Sequence, residues 1–243
     1  MPLVEYLQES GNSHAREEIF NCRLLYDTKV AAAERGYHLR SYYSDVDHDG
    51  FDAILDDADR VVRLQLKTLL NTSKKKRWDD IKKYVLRPVP RNWERFGYEP
   101  AASPGVEGAV VLMQLTVNGQ NVSVQYNFTD IYIIAGIAQS IIDRHHTVRT
   151  ASTNLLAAIG QGASNGQVAV SKEMFIPAAT PGHLLSLMDL HSDTNTNWRG
   201  LMLILADHLL GEGEMAMPAG HTVETLSTTV VEMLKTASGR LEL

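Results

Sequence analysis

Gly50-Phe51-Asp52-Ala53-Ile54-Leu55 and, beyond an acidic tetrad (Asp56-Asp57-Ala58-Asp59), Arg60-Val61-Val62-Arg63-Leu64-Gln65-Leu66-Lys67-Thr68 decide how this chain is read. The pattern predicts two short strands joined by an acidic turn. Asp52 enters the first strand. Gln65 and Lys67 lie two apart on the second, so their side chains point to the same face. A carboxylate, a second oxygen ligand and a lysine on one edge of a hairpin can hold a hard divalent cation beside a polarised water.

These residues resemble the catalytic hairpin of the PD-(D/E)xK nuclease superfamily, which includes restriction endonucleases, Holliday-junction resolvases and repair nucleases. Asp52 stands for the entering acid and Gln65-Leu66-Lys67 for the second motif, with twelve residues between Asp52 and Gln65. Two departures are visible. No proline precedes Asp52, and Gln65 replaces an acid, which removes one negative charge from the metal site. The resemblance covers residues 14 to 135.

The resemblance implies a restriction-endonuclease-like fold: an α/β (α+β) mixed sheet flanked by helices. It implies Mg²⁺, with Mn²⁺ as a substitute, held by Asp52, the Gln65 amide oxygen and the Leu66 carbonyl. Lys67 would orient the attacking water and stabilise charge on the phosphate. A glutamate from the first helix often joins such a site. Glu17 and Glu18 are the candidates, Glu17 as a catalytic residue and Glu18 as a metal ligand, and the sequence does not choose between them. The expected activity is DNA endonuclease action, of the restriction or phage-defence type. Two alternatives remain open: a non-catalytic nucleic-acid-binding or assembly protein that kept the fold, and a resolvase-like enzyme on branched DNA.

Charge supports a nucleic-acid partner. The whole chain is −6, yet Lys67 to Arg95 holds ten basic and three acidic residues. Lys74, Lys75, Lys76, Arg77, Lys82, Lys83, Arg87 and Arg91 form a basic patch suited to a phosphate backbone. Trp78, Tyr84 and Trp93 interleave with these cations and are candidates for stacking against bases. The bland alternative is a solvated loop.

The 243 residues, 44% of them hydrophobic, can bury a full core. No secretory signal is present and the longest apolar stretch, Ile131 to Ile142, is too short to span a bilayer. Cys22, the single cysteine, can form neither an internal disulfide nor a thiolate zinc site. A cytoplasmic protein without membrane contact is expected.

Along the chain, Asn12 or Ser13 caps a helix that runs to Glu34 and stops at Gly36, with Ala15, Ile19, Cys22 and Tyr26 at helical spacing. Tyr37 to Tyr43 reads as a strand. Asp45, Asp47 and Asp49 alternate in a turn that resembles the start of a calcium loop but lacks the downstream glutamate. Residues 70–100 read as a basic insertion, with Asn71 to Arg77 as polar loop and Asp79 to Tyr84 as a short helix or strand.

Gly108 to Leu115 and Asn121 to Tyr126 form a hairpin at Asn118-Gly119. Thr129 or Asp130 caps a helix to Asp143, which His145-His146 ends. Gly160-Gln161-Gly162 with Gly166 makes a weak glycine loop. The division is a nuclease-like core over 1–146 and a mainly helical extension over 147–243. The extension carries short strands at Val168 to Val170 and Met174 to Ile176. Its helices begin at Pro181, at Trp198 after an Asn195 or Thr196 cap, and at Thr222. Met202, Leu209 and Met233 are candidates for a homodimer surface, since cutting both strands of a duplex commonly takes two sites.

Overall fold

A computed structural model describes residues 3–43, 50–71, 73–99, 104–191 and 196–243. Asp45, Asp47, Asp49 and Asn195 lie outside them. Helices α1 (Leu3–Gln8) and α2 (Ser13–Glu34) lead into β1 (Arg40–Tyr43), β2 (Ala53–Asp56) and β3 (Val61–Leu70). Next come β4 (Arg77–Lys82), α3 (Lys83–Leu86), β5 (Ala109–Asn118) and β6 (Asn121–Asp130). Then follow α4 (Ile131–Ala138), α5 (His146–Gly160), β7 (Gln167–Ser171), β8 (Ile176–Pro177), α6 (Pro181–Leu187), α7 (Trp198–Leu209) and α8 (Val223–Ser238).

The architecture is the expected mixed sheet with flanking helices. Six strands run in the order β1-β2-β3-β5-β6-β8, and β4 pairs with β7 in a separate two-stranded sheet. Among the described residues only the β3–β5 pairing is parallel; the others are antiparallel. At the centre, Ala109-Val110-Val111-Leu112-Met113 is fully buried. An unbroken apolar run suits a strand covered on both faces and paired in parallel. The β5–β6 hairpin closes with Asn118 opposite Asn121, and Gly119 takes φ +63° at the turn. Gly108 lets the chain pass the Arg63 backbone; a Cβ there would collide with the Arg63 carbonyl.

The first helix has the expected span but a different inner face. Phe20, Leu24, Thr28, Ala31 and Ala32 are buried, whereas Ile19, Cys22 and Tyr26 are exposed. Both sets satisfy helical spacing, and packing selects the one richer in large aliphatics and small residues. Asn12 precedes the helix without a side-chain cap; its Nδ2 donates to the Tyr6 carbonyl instead. Asp130 caps α4 by accepting from the Ile133 N–H at 2.9 Å. That helix stops at Ala138, and Ser140 turns left-handed. His145 and His146 therefore sit at the start of α5 and do not end a helix. Asn197, not Thr196, accepts from the Gly200 N–H at the start of α7.

Much of the segment 78–96 is built into the core. Trp78 and Trp93 are buried, so neither is available to bases. Arg87 is fully buried, so it is not a phosphate ligand. Its guanidinium donates to the Ile159, Gly160, Gln161 and Gly162 carbonyls at 2.7–3.3 Å and closes the C-terminus of α5. That contact also fills the glycine loop. Residues 147–243 are laced into the earlier chain: β7 pairs with β4, β8 pairs with β6, and α6 packs on α2. Met202 is buried and Met233 packs against the core, leaving Leu209 as the one exposed member of the three. Among the described residues no helix is long and apolar enough to cross a membrane.

Candidate functional site

The β2–β3 hairpin forms as read. Ala53 faces Leu64, and the Asp52 N–H donates to the Leu64 carbonyl at 2.7 Å, carrying the ladder one residue further. The Asp52 carboxylate reaches across and accepts from the Leu66 N–H at 2.5 Å. Asp52 is thereby locked to the strand that carries Gln65 and Lys67.

Asp52, Gln65, Leu66 and Lys67 line one cleft of about 440 Å³ together with Glu17, Asn21, Lys75, Asp80 and Lys82. Glu17 and Asn21 are four apart on α2 and share a face. Both Glu17 and Glu18 are exposed, but Glu17, on the side of the stripe through Phe20 and Leu24, lines the cleft and Glu18 does not. The structure thus distinguishes the two glutamates, and a metal-ligand role for Glu18 is not supported by its position.

Gln65 is 6% exposed and bonded at both ends of its amide. Its Nε2 donates to the Asp80 carbonyl at 3.3 Å and its Oε1 accepts from the Lys82 N–H at 2.9 Å. One side chain thus makes two bonds to the β4 backbone and holds the small sheet against β3. A carboxylate could make only the second, and would face the Asp80 carbonyl with another oxygen. This explains glutamine at the position in terms of donor chemistry.

Lys67 pairs with Asp80: Nζ to Oδ2 is 2.8 Å, with the lysine side chain 17% and the aspartate 54% exposed. Burial would raise the Asp80 carboxyl, but the hydrogen bond and charge of Lys67 outweigh it and hold the group below its ordinary range. Lys67 is therefore neither a solvent-facing lysine nor an uncompensated one.

Asp80 is the member of the site that the sequence reading missed. It lies thirteen residues after Lys67 and reaches the cleft only because β4 folds back over β3. No local spacing announces that return. Among the described residues, no three His, Cys, Asp or Glu side chains come together as a metal-holding group.

The basic segment divides sharply. Lys74, Lys75, Lys76 and Arg77 are exposed, as is Arg91. Lys75 lines the cleft and sits over the Trp78 ring at 5.7 Å. Arg77 pairs with Asp79 at 2.6 Å in solvent. Lys82 lines the cleft, whereas Lys83 donates to the Gln161 carbonyl at 2.8 Å. Compared with known proteins, the chain matches no family model, no curated protein and no solved structure.

Proposed function

We propose that this protein is a DNA endonuclease of the PD-(D/E)xK type on a restriction-endonuclease-like core, serving restriction or phage defence. The supporting observation is that Asp52 and Lys67, from neighbouring strands, share one cleft with Glu17 and with Lys75 of the exposed basic run. Cytoplasmic location and a homodimer with two sites complete the reading.

The donors suit a hard cation that keeps most of its waters. They are the Asp52 and Glu17 carboxylates, the Leu66 carbonyl, and Gln65 Oε1, whose second lone pair remains after the bond to Lys82. Mg²⁺, or Mn²⁺ in its place, would supply a polarised water and offset charge on the scissile phosphate.

The chain's own residues do the positioning. Asp52, pinned by the Leu66 N–H, fixes a negative charge at the start of β2. Lys67 presents its ammonium to a phosphate oxygen, and Asp80 sets where that ammonium rests. Lys75 and Lys82 add positive charge to the walls and draw a polyanion in.

The test is cleavage of supercoiled plasmid with Mg²⁺ and with EDTA. Nicked or linear product with Mg²⁺ alone is expected, and a four-way junction substrate distinguishes a resolvase-like preference. A second reading is favoured by one specific observation: Gln65 already serves β4 and Lys67 already serves Asp80. On that reading the cleft binds nucleic acid without cutting it. DNA binding with no cleavage in either Mg²⁺ or Mn²⁺ would establish it over the enzyme.

A further inference from the structure

At the other end of β3, on the same side as Gln65 and Lys67, Val61 and Arg63 line a second pocket of about 670 Å³. Its floor holds Arg199, from the first turn of α7, and Arg60, from the turn before β3. Arg199 is 2% exposed. Its Nε, Nη1 and Nη2 make no hydrogen bond, and neither does the buried Arg60 Nε.

Buried guanidinium nitrogens without acceptors are costly, about 1–3 kcal/mol for each group left unsatisfied. Burial would lower the Arg199 guanidinium, but the charge of Asp130 outweighs it and holds the group above its ordinary value, and the Tyr132 ring lies 4.6 Å away; yet no carboxylate accepts a hydrogen bond from it. Asp130 approaches Arg199 Nη1 from within the core at 3.2 Å without hydrogen-bond geometry. Asp189 Oδ2 is taken by Arg60 Nη1 at 2.6 Å. Glu107 already accepts from Tyr132 Oη at 2.6 Å, Asn92 Nδ2 at 2.7 Å and the Val89 N–H at 3.2 Å. Burial, and the charge of Arg199 beside it, hold the Arg60 guanidinium below its ordinary value.

We propose that this pocket binds a phosphate group, with Arg199 and Arg60 at the floor and Arg63 and Arg91 at the rim. The donors come from two side chains, and a tetrahedral anion with three or four oxygens can meet them where a planar carboxylate offers two. A monoprotonated phosphate also has the hydroxyl that Asp189 Oδ1, buried and without a donor, lacks. The pocket falls in the range typical of sites for whole small molecules and far exceeds a phosphate, so the phosphate carries a larger group. On the nucleic-acid reading of the neighbouring cleft, on which this part of the proposal rests, that group is a nucleotide, free or at the end of a strand. Neither requires cleavage at Asp52.

Calorimetric titration tests this with three probes: inorganic phosphate, a nucleoside 5′-monophosphate, and a short single-stranded DNA with or without a 5′-phosphate. Saturable phosphate binding to the wild type is expected. Arg63→Gln with Arg91→Gln should weaken it tenfold or more, and Arg199→Met should abolish it. Neutralising Lys74, Lys75, Lys76 and Arg77 should weaken binding of the DNA probe only and leave binding of inorganic phosphate and of the mononucleotide unchanged.

If Arg199→Met fails to fold, the rim variant, which alters partly or fully exposed residues, carries the test. Tightest binding of the mononucleotide identifies a free nucleotide as the ligand. Tightest binding of the 5′-phosphorylated strand, with loss on dephosphorylation, identifies a nucleic-acid end. No saturable phosphate binding to the wild type overturns the proposal. So does binding that the loop variant weakens and the pocket variants do not.

Discussion

The cleft around Lys67 and the pocket around Arg199 lie along one strand and treat charge in opposite ways. Arg63 and Lys67 are four residues apart on β3, about 13 Å at roughly 3.3 Å per residue. In the cleft, Lys67 has Asp80 at 2.8 Å and Gln65 has both its amide ends bonded. In the pocket, Arg199 is almost wholly buried with no hydrogen bond at any guanidinium nitrogen. The contrast separates two kinds of polar surface. One is self-satisfied and must be competed for; the other has its charge paired with Asp130 but keeps its hydrogen-bond donors open.

Breaking the cleft first gives the largest expected effect. Asp52→Ala and Lys67→Ala should each abolish Mg²⁺-dependent plasmid cleavage while circular dichroism and melting remain close to wild type. Nicking at wild-type rates by either folded variant removes the nuclease assignment. In the pocket, Arg199→Ala leaves Asp130 buried without its cation and should cost about 3–5 kcal/mol in urea unfolding. A loss below about 1 kcal/mol would mean that the pair contributes little in the folded state.

Gln65 sharpens the comparison. Gln65→Leu removes both bonds to β4 and should destabilise by about 1–3 kcal/mol. Gln65→Glu, attractive because it restores the commoner ligand and a charge, must also give up the bond to the Asp80 carbonyl. It should raise Mg²⁺ affinity and lower the melting temperature together; a rise in both would show that the bonds to β4 are dispensable. Neutralising Lys74, Lys75, Lys76 and Arg77 should weaken DNA binding alike across sequences. The salt slope should flatten by up to about 0.9 log unit for each phosphate that these cations no longer neutralise.

The smallest effect concerns Asp80. Its folded carboxyl lies below the ordinary 3.8, so its pairing stabilises the protein above that value. The contribution disappears as pH falls through the folded value. Because the side chain is half exposed, the amount is at most about 1 kcal/mol. Asp80→Asn should therefore lower stability at neutral pH by that small amount and leave the acid end nearly unchanged, so that the acid limb flattens slightly, as urea titrations from pH 2 to 7 would reveal.

Much of this was legible in the residues because it was local. The β2–β3 hairpin, the Asn118-Gly119 turn and the Asp130 cap rest on spacings within a few positions. What failed to show was whatever depends on distant partners. Arg87 reads as a surface cation until α5 brings four carbonyls to it. Asp80 reads as one acid in a basic run until β4 folds over β3. The exposed face of α2 satisfied the helical period as well as the buried one, so periodicity alone could not choose.

The pairing of β4 with β7 has a consequence for the order in which the molecule is made. Residues 77–82 find their strand partner only at residues 167–171, after a separation that makes loop closure slow. A nascent chain emerging from its N-terminus presents the hairpin long before that partner exists. Its Asp52 and Lys67 can be in register while the wall bearing Asp80 still lacks its neighbouring strand. The cleft is thus finished late in synthesis, and a chain cut short after residue 160 would carry the motif without the enclosure that organises it.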